Sequence, residues 1–330
     1  MSTGSETAAE DMMAMNNTIK IVKWINPSIV LVDLALNKSA WYFGLFVLVN
    51  IALIVFIVLF LSSSYNKMHE IVSAFTSNNK YVKKELKVKG EFKNQLAFEF
   101  KRLINSKAYL LNGAMGLVVC IVMVAILSIT ALNDLKTKPE LVPYFDSFAI
   151  LGSMVICYGL SVSNLTASSI SIEGKSFWLL KSLPINRKTI LISKLAMSLI
   201  LQIATSLICS TILVINLGTN LITIIGLYLI PLAYCLFVAT FGLFINLHYY
   251  ELKWENEQRV VKQSKSVMIT TLTAMALTLI MTGSMFLLIY FVNPYIALIA
   301  IVGILLIVSC LLYLYLIKKG PHKLQEIEDC

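Results

Sequence analysis

The sequence predicts an all-α fold, a polytopic membrane helix bundle of about seven transmembrane helices with short amphipathic cytoplasmic helices between them. Composition comes first: of 330 residues, 58% are hydrophobic and 14% charged, where a soluble domain carries about 25% charged residues. With a mean hydropathy of +0.80, the chain cannot present a water-compatible surface. Second, uncharged runs that meet the roughly 20 residues needed to cross a bilayer occur at 42–62, 110–132, 147–167, 195–216, 221–247, 268–292 and 295–317. A membrane barrel of strands would instead show short alternating segments. Third, the loops between the runs alternate in charge, which orients the bundle.

The N-terminal 41 residues form a tail. MSTGSETAAEDMMAMNN lacks a basic stretch followed by an apolar one, so it does not read as a secretory signal. Residues 21–36 are short for a crossing and carry Pro27 and Asp33. An interfacial helix anchored by Trp24 and Trp41 fits them better. Span 42–62 follows, then a basic linker, 63–108, with ten lysines and arginines from Lys67 to Lys107.

Residues 109–317 hold six spans. Their first connection, NDLKTKPELVPYFD, sets Lys136 and Lys138 against Asp134, Glu140 and Asp146. The next, with coupling segment 169–190, has Lys175, Lys181, Arg187 and Lys188. The connection around Gly218 and Asn220 is uncharged; loop 248–267 has Lys253, Arg259, Lys262 and Lys265; Asn293 and Pro294 are nearly all of the last. The tail, 318–330, adds Lys318, Lys319 and Lys323. Because lysine and arginine collect in cytoplasmic loops, the basic segments are expected inside, with the C-terminus cytoplasmic and residues 1–41 extracytoplasmic. The net charge of +9 is then a matter of orientation rather than of nucleic-acid binding.

Several chemistries lack their residues. The seven runs contain no Asp, Glu, Lys or Arg in their interiors, and His248 stands at an inner boundary. Ion-coupled carriers place such groups within the bilayer, and intramembrane enzymes need carboxylate pairs, HExxH or Ser/His/Asp sets. Asn50, Asn112, Asn164, Gln202 and Asn246 are expected to hydrogen-bond between helices. Tyr158, Tyr228, Tyr234, Phe241 and Tyr290 suit an apolar substrate or equally packing. Five of the six cysteines lie in apolar runs and the sixth ends the chain, without metal or disulfide spacing, so they read as core-filling thiols. Gly174-Lys175-Ser176 mimics the end of a Walker A loop, but Ser169 stands where its first glycine belongs. No cofactor is expected in this chain.

Between the uncharged runs at 147–167 and 195–216 lies SISIEGKSFWLLKSLPINRKTILISKL. Phe177, Leu179, Leu180 and Leu183 read as the apolar face of a short helix, ringed by Lys175, Lys181 and Ser182 and stopped by Pro184. Such a helix is too short to cross. On its residues alone it either floats in the headgroups or offers a face to a soluble partner.

This segment resembles the E-x-G-T-x-E-x-L-L-x-x-P stretch of type-2 ABC exporter permeases, through Glu173-Gly174, Leu179-Leu180 and Leu183-Pro184, with Phe177-Trp178 in place of the usual polar centre. It is more similar to a bacterial branch of large twelve-helix permeases with EGK-x-F-W-x-L-K-x-L-P-I. Lys89 to Gly116 resembles the start of the second half of such permeases, an amphipathic helix with Phe92, Leu96, Phe100 and Leu103 inward. Leu252 to Met268 resembles their W-x-N-E-x-x-V-V-K-Q-S loop. The resemblance spans about residues 40–320. It implies the last helix of a first half plus a complete second half, with most of the first half lacking.

The resemblance further implies a plasma-membrane permease subunit of an ATP-driven exporter, not itself an enzyme. ATP and magnesium would belong to a separate ABC ATPase subunit, and a second permease chain or copy is a further partner. Glu173, Gly174, Phe177, Leu180, Leu183 and Pro184 would dock the ATPase, with Trp254, Glu257 and Lys262 as a second contact. The alternatives are an ion-coupled secondary transporter and a non-transporting scaffold or immunity protein. The substrate is not legible.

Overall fold

The computed structural model describes residues 41–59 in part and 90–327 apart from 130–144, 218–219 and 292–293. The expectations for residues 1–40, including 21–36, and for most of the basic linker lie outside the described residues. The chain divides after Leu86 into two units. In the first, Phe43–Phe56 is a shorter apolar helix, within the span expected at 42–62.

The regular elements of the second unit among the described residues are all helical: α1 Glu91–Asn105, α2 Lys107–Ile129, α3 Phe145–Val162, α4 Phe177–Ser182, α5 Arg187–Leu217, α6 Leu221–His248, α7 Glu257–Gln263, α8 Lys265–Phe291, α9 Pro294–Lys318 and α10 Gly320–Glu326. Two 3₁₀ turns, Thr166–Ser168 and Ser171–Ser176, join α3 to α4. The six long helices α2, α3, α5, α6, α8 and α9 are each apolar and long enough to cross a membrane. The fold is an all-α polytopic helix bundle.

α6 is the central post, packed along α3, α5, α8 and α9. It is apolar all round, as a helix without a solvent face must be. The core around it includes Val124, Ile150, Ile156, Leu160, Leu213, Leu227, Ile230 and Tyr234. Pro231 interrupts α6. It has no N–H for the carbonyl four residues earlier, and Ser210 of α5 donates to that Leu227 carbonyl at 2.8 Å. In a bilayer no water can fill this role. Ser210→Ala therefore orphans the carbonyl, and a loss of about 1 kcal/mol, read as a lower melting point in detergent, is expected.

The polar side chains within the spans do bridge helices. Asn112 Nδ2 donates to the Val261 carbonyl at 2.9 Å, Asn164 to Thr271 at 3.3 Å and Gln202 to the Ser163 carbonyl at 2.8 Å. Asn50 bonds instead within its own helix, to Phe46. Cys120, Cys157, Cys209 and Cys235 are buried free thiols and Cys310 is an exposed one. Of the aromatic residues, Tyr234 is buried and donates to the Ala274 carbonyl. Phe241 stacks on Phe237, and the Tyr228 hydroxyl meets Thr211.

Candidate functional site

The chain ends of the six long helices that face α1, α4, α7 and α10 form the basic end of the bundle. There the residues from Ser163 to Gly174 are all buried. The expectation of one amphipathic coupling segment over 169–190 is therefore corrected: its first part, to Gly174, is a buried plug. A plug of 3₁₀ turns leaves backbone groups unpaired, and buried side chains supply their partners. Asn246 Oδ1 accepts from the backbone N–H of Ile170 at 2.7 Å and of Ser171 at 3.3 Å. Its amide donates to the hydroxyls of Ser171 and Ser266. Ser266 donates to the Ala167 carbonyl and Tyr109 to that of Leu165.

Close approach is allowed by missing side chains. A Cβ on Gly242 would stand 2.4 Å from Thr166 Oγ1, and one on Gly116 2.9 Å from Ser163 Cβ. Gly174, at φ 52°, turns the chain out of the plug, under the ring of Trp254. The Trp254 indole donates to the Ser171 carbonyl at 2.7 Å.

Four charges meet beside the plug. Lys194 of α5 is wholly buried, and its ammonium donates to Glu99 Oε1 at 2.9 Å, Glu173 Oε1 at 2.6 Å and the Ser169 carbonyl at 2.8 Å. Three donors thus have three acceptors. Arg102 of α1 grips both oxygens of Glu173, the bidentate pairing suited to a guanidinium. It also stands 3.5 Å from Glu99 Oε2. Burial works against the Arg102 charge, but Glu173 and Glu99 outweigh it and hold its pKa above the ordinary value. Two carboxylates and two cations balance, so burial leaves no net charge to solvate.

The cluster corrects the expectation of spans free of charge. α5 begins at Arg187, eight residues before the uncharged run, and brings Lys194 inside. The inward face expected of α1 holds for Leu103 and, half-buried against the same core, for Leu96 and Phe100, but not for Phe92. Gln95, Glu99 and Leu103 are the buried stripe, Leu96 and Phe100 are half-buried, and Phe92 is exposed. Pairing with Lys194 draws Glu99 in alongside this apolar stripe.

α4 shows a similar shift. Phe177 and Leu180 point inward, whereas Leu179 and Leu183, expected on the same face, are 50% and 43% exposed beside Trp178 at 57%. Positions 177 and 180 share a face, but 179 lies about 200° round from 177. The helix ends at Ser182, and Leu183 is extended, as a residue before proline prefers. Pro184 is exposed.

The proposed docking residues thus divide. Glu173, Gly174, Phe177 and Leu180 are buried, while Leu183 and Pro184 are exposed beside Trp178 and Leu179. Of the second set, Trp254 covers Gly174, Glu257 accepts from Ser106 Oγ at 2.8 Å and Lys262 is exposed. Residues 257–263 form α7, capped by Asn256 accepting from the Gln258 N–H.

A family model described as "membrane protein of 12 TMs" matches residues 12–315. The chain belongs to this family. Curated proteins and solved structures gave no match. As a member of the 12-TM family the chain is a multi-pass integral membrane protein. Its described residues hold six helices long and apolar enough to cross a membrane, and the buried plug with its ion cluster lies inside the matched region. The lysine-to-glutamate bridges of this family member span 95 and 21 positions of sequence. The sequence features that could have pointed to the cluster are the four-residue spacing of Gln95, Glu99 and Leu103, and a lysine beside an uncharged run.

Proposed function

We propose that this chain is the permease subunit of an ATP-driven exporter in the plasma membrane, with its basic end and C-terminus in the cytoplasm. A separate ABC ATPase subunit, holding ATP and magnesium, docks on the exposed ridge of Trp178, Leu179, Leu183 and Pro184. The orientation rests on the gathering of Lys101, Lys175, Arg187, Lys188, Lys253, Arg259, Lys262 and Lys318 at one end. The chain itself performs no hydrolysis.

The observation that carries the reading is the way the ridge is anchored. Behind it, Phe177 and Leu180 seat in a core with Ile190, Leu191, Leu243 and Leu247, and Lys181 donates to the Ile327 carbonyl. Four residues before Phe177, Glu173 is gripped by Arg102 of α1 and Lys194 of α5. A push on the ridge therefore reaches an interfacial helix and a span through charge-assisted bonds rather than through a slack loop. Rigid-body motion of packed helices is how such a push would change access across the bilayer. The buried members of the docking set transmit; the exposed ones touch.

The test is co-purification. Tagged chain from its native host is expected to bring down an ABC ATPase subunit. Trp178→Asp with Leu183→Asp should cut that yield by about tenfold or more, as loss of two apolar anchors does, without changing the gel-filtration profile. Wild-type chain that captures no ATPase would sink the proposal. So would transport in ATP-free vesicles on a proton or sodium gradient, which belongs to an ion-coupled carrier.

A further inference from the structure

α5 and α9 both pack along α6 yet barely touch each other. Between them a furrow of about 480 Å³ runs along the outside of the bundle. Leu236 of α6 floors it, Leu195 and Leu199 of α5 form one wall, and Leu306, Cys310 and Tyr313 of α9 form the other. Followed toward the basic end, the same two helices bring three cations together: Arg187 and Lys188 at the start of α5, and Lys318 at the end of α9. These line a second hollow of about 580 Å³. Lys188 precedes Ile192, at the furrow's end, by one helical turn, about 6 Å.

None of the three has a carboxylate partner among the described residues. Two acids reach the rim of the hollow without pairing with these cations: Glu91 accepts from the Asn186 N–H, and Glu326 stands 3.1 Å from His322.

We propose that this furrow is a site for one anionic phospholipid, with an acyl chain between α5 and α9 and the headgroup phosphate on Arg187, Lys188 and Lys318. An apolar slot open to hydrocarbon and closed by cations at headgroup height has the chemistry of such a lipid. Basic pockets between membrane helices recognise anionic headgroups in this way. The volume lies in the ordinary range for ligand pockets, roughly 300–1,000 Å³. A lipid brings both the hydrocarbon that the slot takes and the phosphate that the three cations take, whereas a helix, about 10 Å across, is much thicker than an acyl chain. The proposal does not depend on the exporter reading.

The experiment uses the full chain in vesicles of phosphatidylcholine doped with phosphatidylglycerol bearing a photoreactive diazirine in its acyl chain. After illumination, labelled peptides are mapped by mass spectrometry. Label is expected on 192–199 and 306–313, displaced by unlabelled phosphatidylglycerol at about a tenth of the phosphatidylcholine concentration needed. Arg187→Gln with Lys188→Gln and Lys318→Gln should abolish that preference. Ala196→Trp, which fills the slot, should remove furrow label while leaving label at exposed Leu279 and Ile280. The proposal is overturned if label spreads evenly over the exposed apolar surface, if phosphatidylcholine competes equally well, or if the furrow stays unlabelled. It is overturned equally if Cys310 crosslinks to a second copy, since a protein would then cover the slot.

Discussion

Lys194→Met is expected to cost about 3–5 kcal/mol, the usual penalty for removing one partner of a buried ion pair. Methionine fills similar space, so the loss is electrostatic rather than steric. Without the ammonium, Glu99 keeps only Gln95 at 3.4 Å and Arg102 at 3.5 Å, and the Ser169 carbonyl loses its donor. Glu173 keeps the Arg102 grip, so the unpaired charge falls on Glu99, which is wholly buried. A domain is stable by about 5–15 kcal/mol, so much of the variant should fail to run as a single species in detergent. Lys194→Met with Glu99→Gln restores neutrality, leaving Arg102 and Glu173 as a matched pair, and should recover most of the loss. This sign separates charge balance from simple crowding, because additive damage would make the double variant worse. Equal melting points for wild type and Lys194→Met, or a double variant below the single one, would show that the cluster is not held by charge balance.

The long helices were legible because a bilayer makes length and apolarity a direct readout. Asn112, Asn164, Gln202 and Asn246 were legible for a related reason: a polar amide among hydrocarbon has few partners except another helix. The ion cluster was not. An uncharged run ends by definition at the first charge, so Lys194 fell outside its span and the buried start of α5 with it. Likewise, the periodicity of α1 placed Leu96, Phe100 and Leu103 inward, where they are, but it also placed Phe92 there and passed over Glu99, since pattern weighs each residue against water or lipid. It takes no account of a cation arriving from a helix 95 positions away. The same blindness hid the division of the segment after α3. EGK and FWLLKSLP read as one amphipathic stretch, but Glu173 has buried partners and Leu179 has none. What makes the site is long-range charge pairing, which single-residue hydropathy does not encode.

Gly174→Ala is the second large effect, and its two causes can be separated. At φ 52° and ψ −135° the backbone lies where a side chain is strained, and a Cβ would stand 2.8–3.0 Å from the Trp254 ring. Backbone strain of this kind costs about 1–3 kcal/mol. Displacing Trp254 weakens its bond to the Ser171 carbonyl, worth about 1 kcal/mol more. A total near 2–4 kcal/mol is expected as a lowered melting point. Trp254→Ala alone removes the ring and the bond. If strain dominates, Gly174→Ala costs nearly as much in the Trp254→Ala background as in the wild type. If crowding dominates, the second substitution becomes almost free there. The geometry favours strain, because the atoms a Cβ would meet belong to a partly buried side chain, Trp254, whereas Glu173, one residue earlier, is fixed by Arg102 and Lys194. The turn is thereby forced on position 174: the chain must leave a buried salt bridge and begin α4 three residues later. If Gly174→Ala melts with the wild type, the turn is not held at positive φ and Glu173 does not anchor α4.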